Sequence, residues 1–383
     1  MHRPKRACYN SDIMRTSSGF SEIAVVGVVC ALILIASGAW FFMAQKYSAA
    51  PSGGQAMTLA PTPLQSKQSA TPAQTALVSA TPQTTVYVAP STRLTPAPQI
   101  SATVKPKTLT WSQDNGVRMA SSSAPYVMKL ANGTFRMYYW TSQGIVSALS
   151  RDGMQFTQEP GIRIAPDQSD ASSTEFLVTD PTVADTGNGT VRMYYTGMNG
   201  TLDPASAQRN IFSAISSDGL QFTKEGVRID SQQNENNNWV AMPEAVRHSD
   251  GTVYLYYDSH NPNAGGGIMV ASSKDGLQFN AGVPLVQSTG LLIDPSVLRM
   301  PNETYVMLAV SVDKSLPPYA DPGIYYLDSG DGLVFQDFTP IMKGGNMYDP
   351  SGVQIDPNTI RIFYTYLAQG SSPEIRSLTG TIQ

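Results

Sequence analysis

Three aspartates of this chain, Asp180, Asp294 and Asp349, each stand immediately before a proline and open the runs "DPTVAD", "DPSVLR" and "DPSGVQ". A glutamate, Glu244, follows the proline of a fourth run, "MPEAVR". Carboxyl groups move protons when a fold gathers them: one kept protonated donates, and one kept ionised accepts. Neighbours in this set lie 50 to 64 residues apart in the chain. A repeated structural unit is what can bring them together.

That unit is visible. Aligned on the residue before proline, five stretches read "APYVMKLANGTFRMYYW" from Ala124, "DPTVADTGNGTVRMYYT" from Asp180, "MPEAVRHSDGTVYLYYD" from Met242, "DPSVLRMPNETYVMLAV" from Asp294 and "DPSGVQIDPNTIRIFYT" from Asp349. In every copy the apolar residue opening a second run lies eleven positions on: Phe135, Val191, Val253, Tyr305 and Ile360. A strand, a turn rich in Asn, Gly and Asp, and a second strand are how a hairpin is written. Four copies continue through a third strand to "SRDGMQF", "SSDGLQF", "SKDGLQF" or "SGDGLVF", then to a fourth strand such as "FTQEPGIRI". A four-stranded meander repeating every 52 to 62 residues predicts an all-β, five-bladed propeller. The fifth copy lacks its fourth strand, and "WSQDNGVRM" at 111 to 119 matches the missing one, so an N-terminal strand is expected to complete the last blade and close the ring. Asp152, Asp218, Asp275 and Asp331 recur at the Asp-Gly turns and read as turn-formers.

Five blades, Asp-Pro at the inner strands and the S-x-D-G-x-x-F turns together resemble the five-bladed propeller glycosidases of arabinanase, levansucrase and invertase type, glycoside hydrolase family 43 most of all. The resemblance spans roughly residues 108 to 383. It implies an axial pocket with an Asp base on the first blade, an Asp that tunes the acid on the second and a Glu acid on the third. Asp180 matches the second position. Ala124 stands at the first and can take no proton, and Met242 stands at the third, with Glu244 two residues on and facing the same side by strand alternation. The ring expected to face the axis is Ala124, Asp180, Met242, Asp294 and Asp349, backed by Tyr126, Thr182, Glu244, Ser296 and Ser351. Asp180, Glu244, Asp294 and Asp349 are therefore the catalytic candidates. The alternative for the aspartates is a structural one, each carboxylate capping backbone amides at a strand entrance. Tyr126 belongs with the substrate-binding candidates. Trp140 and Trp239 could stack on a sugar at the rim, and Asp258 and His260, in "YYDSHNPNAGGG", are placed on a loop reaching the same rim. The other tyrosines of the second strands, such as Tyr138, Tyr139, Tyr194 and Tyr195, read as packing between blades.

Ahead of the repeats, Ile23 to Ala44 run 22 positions without a charge, enough to cross a bilayer core of roughly 30 Å. His2, Arg3, Lys5, Arg6 and Arg15 precede the run and Lys46 alone follows closely, which places the N-terminus in the cytoplasm and the propeller outside the cell. A cleaved signal peptide is the alternative, "YSAAPS" offering small residues to a peptidase; a prepilin-like leader is disfavoured by Ala24, where a glutamate is needed. The organisation read is a basic tail (1–22), an anchor (23–44), a stalk rich in Pro, Ala, Thr and Ser (45–107) and the propeller (108–383), the stalk reaching on the order of 40 Å. Residues 108 onward carry 16 Lys and Arg against 27 Asp and Glu, a net charge of −11 that disfavours nucleic acid and anionic polymers. With three histidines and no cluster at ligand spacing, a zinc site is not expected. No cofactor is required, and a structural calcium ion in the central channel is left open. Two functions follow: a membrane-tethered glycoside hydrolase acting on neutral oligo- or polysaccharide, or a carbohydrate-binding or adhesion propeller that has lost the chemistry.

Overall fold

The computed structural model describes residues 109–201, 208–232, 239–261, 265–285, 292–311 and 321–382. The tail, the anchor segment and the whole stalk fall outside these, as do the side chains of Trp239 and His260. Among the described residues no helix is long and apolar enough to cross a membrane.

The chain enters through β1 (Leu109–Gln113) and β2 (Met119–Ala120). Blade I follows as β3 (Ser123–Lys129), β4 (Phe135–Thr141), β5 (Gly144–Ser150) and β6 (Thr157–Gln158). Blade II is β7 (Leu177–Asp185), β8 (Val191–Met198), β9 (Arg209–Ser216) and β10 (Thr223–Ile229). Blade III is β11 (Trp239–Arg247), β12 (Val253–Asn261), β13 (Gly265–Ser273) and β14 (Val283–Pro284). Blade IV is β15 (Leu292–Arg299), β16 (Tyr305–Ser311), β17 (Gly323–Ser329) and β18 (Gln336–Lys343). Blade V takes β19 (Met347–Asp356), β20 (Thr359–Tyr366) and β21 (Glu374–Ile382) from the end of the chain. All pair antiparallel within a blade, so the protein is an all-β five-bladed propeller. β1 lies along β21 from Leu109↔Ile382 to Gln113↔Leu378, and β2 pairs further along the same strand.

The second strands begin where the eleven-residue spacing places them, at Phe135, Val191, Val253 and Tyr305, with β20 beginning one residue ahead of Ile360. The fourth strands of blades II and IV run in full as β10 and β18, and those of blades I and III are short. In blade I "FTQEPGIRI" pairs only at Thr157–Gln158 and again in an isolated bridge at Ile164, because Pro160 has no N–H and Gly161 turns with φ +87°. The equivalent strand of blade III is the two residues Val283–Pro284. Blades II and III are also joined by a parallel bridge between Arg209 and Trp239, which merges them into one eight-stranded sheet.

The core lies between blade faces. Tyr138 and Ile145 of blade I pack with Val183, Met193, Tyr195 and Phe212 of blade II, and Val306 and Leu308 of blade IV with Ile360 and Ile362 of blade V. The paired tyrosines are fully buried, as packing residues should be. Their polar tips are used where a partner is near: the hydroxyls of Tyr138, Tyr194 and Tyr256 donate to the carbonyls of Gly219, Gly276 and Gly332 in the next blade at 2.8 to 2.9 Å.

Those glycines belong to the Asp-Gly turns. In each, the aspartate Oδ1 accepts two backbone amides, as Asp218 does from Leu220 (2.7 Å) and Gln221 (2.8 Å), and a serine hydroxyl two residues before it donates to the same oxygen. These bonds hold the Asp152, Asp218 and Asp275 carboxyls down at about 2. Their contribution to stability is present above the ordinary aspartate value near 3.9 and fades as pH falls through about 2. Gly219 itself has φ +70°, and a Cβ there would meet Tyr138 Oη at 2.8 Å and Arg136 Nη1 at 2.7 Å. Gly219→Ala is expected to cost about 1–3 kcal/mol in denaturant unfolding, where Gly133→Ala, whose Cβ would meet nothing within 4 Å, bears only the backbone part of that cost.

Candidate functional site

Each inner strand carries the same irregularity. On β3 the register passes from Ser123↔Trp140 to Tyr126↔Tyr138, so Ala124 and Pro125 oppose one residue of β4. The same extra residue occurs at Asp180, Met242, Asp294 and Asp349 with their prolines. This is a β-bulge, and proline costs no ladder bond in it. The five residues before proline all have left-handed backbones, φ +49° to +55°, although proline biases its predecessor toward extended conformations.

At four of the five positions the bulge turns the amide out of its own ladder and toward the neighbouring blade. The Ala124 amide donates to Thr365 Oγ1 (2.9 Å), Met242 to Thr196 Oγ1 (3.0 Å), Asp294 to Asp258 Oδ2 (2.9 Å) and Asp349 to Asp294 Oδ2 (3.1 Å). A second layer lies two residues further along. Val127, Ala245 and Gly352 amides donate to Ser351 Oγ (2.9 Å), Thr182 Oγ1 (3.2 Å) and Ser296 Oγ (3.2 Å), Tyr126 Oη donates to the Val183 carbonyl (2.7 Å), and Glu244 accepts the Val297 amide. Glu244 therefore does in blade III what hydroxyls do elsewhere, and its Oε2 also receives Thr182 Oγ1 at 3.2 Å. The expected structural role of the ring aspartates is present at Asp294, which holds the next blade's amide.

These two layers surround one axial cavity of about 40 Å³, walled by Ala124, Asp180, Met242, Asp294, Asp349, their prolines, and Tyr126, Glu244 and Ser351. All four catalytic candidates and Tyr126 are thus brought together. The volume suits water-sized occupants and is well below the roughly 300–1,000 Å³ of ligand pockets.

Two of the rim candidates are buried beside the axial ring rather than exposed at a rim. Trp140 is inside β4, 7 % exposed and packed on Ala124 of the axial ring, so its ring is covered and not presented at an open rim. Asp258 lies within β12 and not on a loop; it is 2 % exposed and tied to the Asp294 amide. His260 is in the same strand, its backbone opposite Trp239. Asp258 occupies a repeat column sixteen residues after each aligned position, with Trp140, Thr196, Val310 and Thr365, and that column was legible in the sequence. Arg209 was not foreseen. It opens β9, is 5 % exposed, and its guanidinium acts on Asp180 and Asp258. It has no counterpart in the other repeats.

Burial dominates the electrostatics. It pushes Glu244 up to about 8 against the bonds from Thr182 and the Val297 amide. Asp180 rises to about 6, burial outweighing Thr196, Thr179 and Arg209; Asp349 rises to about 7 through burial and the Asp180 charge. Asp258 and Asp294 are raised as well, and burial brings Arg209 down to about 10. At neutral pH the set contains a protonated carboxyl, Glu244, beside a mostly ionised one, Asp180, the pairing that general acid and base work requires. Among the described residues no three His, Cys, Asp or Glu side chains are arranged to hold a metal.

No protein-family model and no curated protein matches the chain. Solved structures do. A thermostable family-43 glycoside hydrolase is 18 % identical with a TM-score of 0.53, over 69 % of this chain and 90 % of its own. An α-L-arabinofuranosidase from Lactobacillus brevis is 12 % identical at 0.53, over 68 % and 91 %. A family-32 β-fructofuranosidase of Bombyx mori is 14 % identical at 0.51, over 68 % and 61 %. What the chain shares with them is the five-bladed propeller fold of the family-43 and family-32 glycosidases.

Because Glu244 keeps its proton in the folded chain to about pH 8 while an unfolded glutamate ionises near 4.3, stability falls as pH rises between those values. Glu244→Gln keeps an acceptor for Thr182 and removes the ionisation. Its unfolding free energy in denaturant is expected to match the parent near pH 4 and exceed it near pH 9, by an amount on the order of a few kcal/mol. A variant less stable at both ends would show that the ring depends on an ionised Glu244.

Proposed function

We propose that this protein is a glycosidase-like propeller directed at neutral oligo- or polysaccharide outside the cell, tethered by its N-terminal anchor and stalk, and that it binds carbohydrate without cleaving it. The fold shared with family-43 and family-32 enzymes supports the carbohydrate assignment. The absence of chemistry rests on one observation: at the axis the acids are committed to the ring, Glu244 and Asp294 each accepting an amide of the next blade around a cavity of about 40 Å³. Ala124, where the resemblance requires a base, points the same way. A sugar would then rest on the mouth of the axis, with the residues after the anchor emerging beside β1, which we read as the strand that closes the ring.

A second reading is favoured by the separation of Glu244 (about 8) from Asp180 (about 6). In it Glu244 protonates a leaving oxygen and Asp180 activates water, the standard division of labour between two carboxyls. The full chain, its Glu244→Gln form and its Asp180→Asn form should be titrated with neutral oligosaccharides and assayed on aryl glycosides and polysaccharides. Binding retained in all three without turnover is the expected result. Turnover by the parent that Glu244→Gln abolishes would establish the hydrolase instead, and neither binding nor turnover would remove the carbohydrate assignment.

A further inference from the structure

Four carboxyls from four strands surround the axis: Asp180 of β7, Asp258 of β12, Asp294 of β15 and Asp349 of β19. In each, one oxygen is held by a protein donor. Thr179 Oγ1 donates to Asp180 Oδ1 (3.0 Å), the Asp294 amide to Asp258 Oδ2 (2.9 Å), the Asp349 amide to Asp294 Oδ2 (3.1 Å) and Thr365 Oγ1 to Asp349 Oδ2 (2.8 Å). The other oxygen of each, Asp180 Oδ2, Asp258 Oδ1, Asp294 Oδ1 and Asp349 Oδ1, is shut off from solvent and meets no donor.

Four ionised carboxylates with bare oxygens would be costly in such a place. Among the described residues Arg209 is the cation that acts on Asp180 and Asp258, and a single positive charge cannot balance four negative ones. The carboxyls sense one another: Asp258 feels Asp180 and Asp349, Asp294 feels Asp349 and Asp258, and Asp349 feels Asp180. The remaining described titratable groups around them are Glu244 of β11, the Tyr348 phenol of β19, which feels Asp294 and Asp349, and Tyr126 of β3, whose hydroxyl is spent on Val183. Ala124 and Met242 contribute no charge. A carboxyl beside a carboxylate resolves the conflict by an O–H···O⁻ bond, short and strong in a dry setting.

We propose that Asp180, Asp258, Asp294 and Asp349 form a proton-binding cluster at the propeller axis, the four donorless oxygens holding shared protons, and that loss of these protons in alkali loosens the seams the carboxyls hold. Asp258 fastens blade III to blade IV and Asp294 fastens blade IV to blade V, so ionisation strains those two seams and charges the cavity wall together. The cluster needs no ligand and does not depend on the carbohydrate reading.

The test is thermal unfolding of the full chain in detergent from about pH 5 to about pH 9, in a Glu244→Gln background that removes the contribution of Glu244, with and without Asp294→Asn. Asparagine keeps a carbonyl oxygen for the Asp349 amide and puts an N–H donor where the shared proton sits. The melting temperature should fall with pH in the background chain, and Asp294→Asn should reduce that fall by half or more and melt higher at the alkaline end. A background profile that is flat or rises with pH, or a variant whose profile runs parallel to it, would overturn the cluster. Should Asp294→Asn fail to fold, infrared spectra of the Glu244→Gln chain in H2O and D2O decide: a protonated-carboxyl carbonyl stretch at neutral pH that vanishes on unfolding supports the cluster, and its absence rejects it.

Discussion

A propeller must hold wedge-shaped sheets around an axis where their inner strands converge too tightly for side chains to do much packing. Here the fastening at four of the five seams is a backbone amide delivered from a bulged inner strand, and between blades I and II it is the Tyr126 hydroxyl. The left-handed residue before proline makes that delivery possible, since it frees the amide from its own ladder while proline has none to lose. Five non-glycine residues accept this conformation, including Ala124 and Met242, which have no side-chain reason to do so. The conformation therefore belongs to the ring and not to any one acid.

Once amides point across the seams, something must accept them, and the acceptors explain most of the polar residues at the axis. Thr196, Thr365, Asp258 and Asp294 serve the first layer, and Thr182, Ser351, Ser296 and Glu244 the second. Where the ring lacks an acid at Met242, Asp258 from the second strand of the same blade supplies the missing acceptor. Hydroxyls do this work without an ionisation problem. Carboxyls do it at the expense of burying a charge, and the displaced proton affinities of Glu244, Asp180 and Asp349 are the consequence.

The outer rim is fastened differently. Asp-Gly turns present carbonyls that tyrosines and arginines of the preceding blade reach, as Tyr194 and Arg192 do at Gly276 and Asp275. Blade V has no such turn, and its seam with blade IV relies on Val306, Leu308, Ile360 and Ile362 and on the two inner bonds from Asp294 and Ser296. Acids accept the inner amides at two seams, Asp258 and Glu244 between blades III and IV and Asp294 between blades IV and V. That role sets a limit on function, because a carboxyl needed by a seam is not at liberty to follow a substrate.

The sequence by itself determined the number of blades, the strand order within them, the Asp-Gly turns and the identity of the residues facing the axis. Each of these is written in local spacing: eleven residues to the second strand, two to the next side chain on the same face, and an aspartate whose own turn consumes it. Only the tertiary structure decided what those residues do. The left-handed residue ahead of proline runs against local preference and exists because a neighbouring blade accepts its amide. Trp140 and Asp258 read as rim residues from the chain alone because neither sheet pairing nor burial is encoded in the ten residues around them. Arg209 carries no repeat signal at all, since its role is set by two aspartates that converge on it only after the ring has formed.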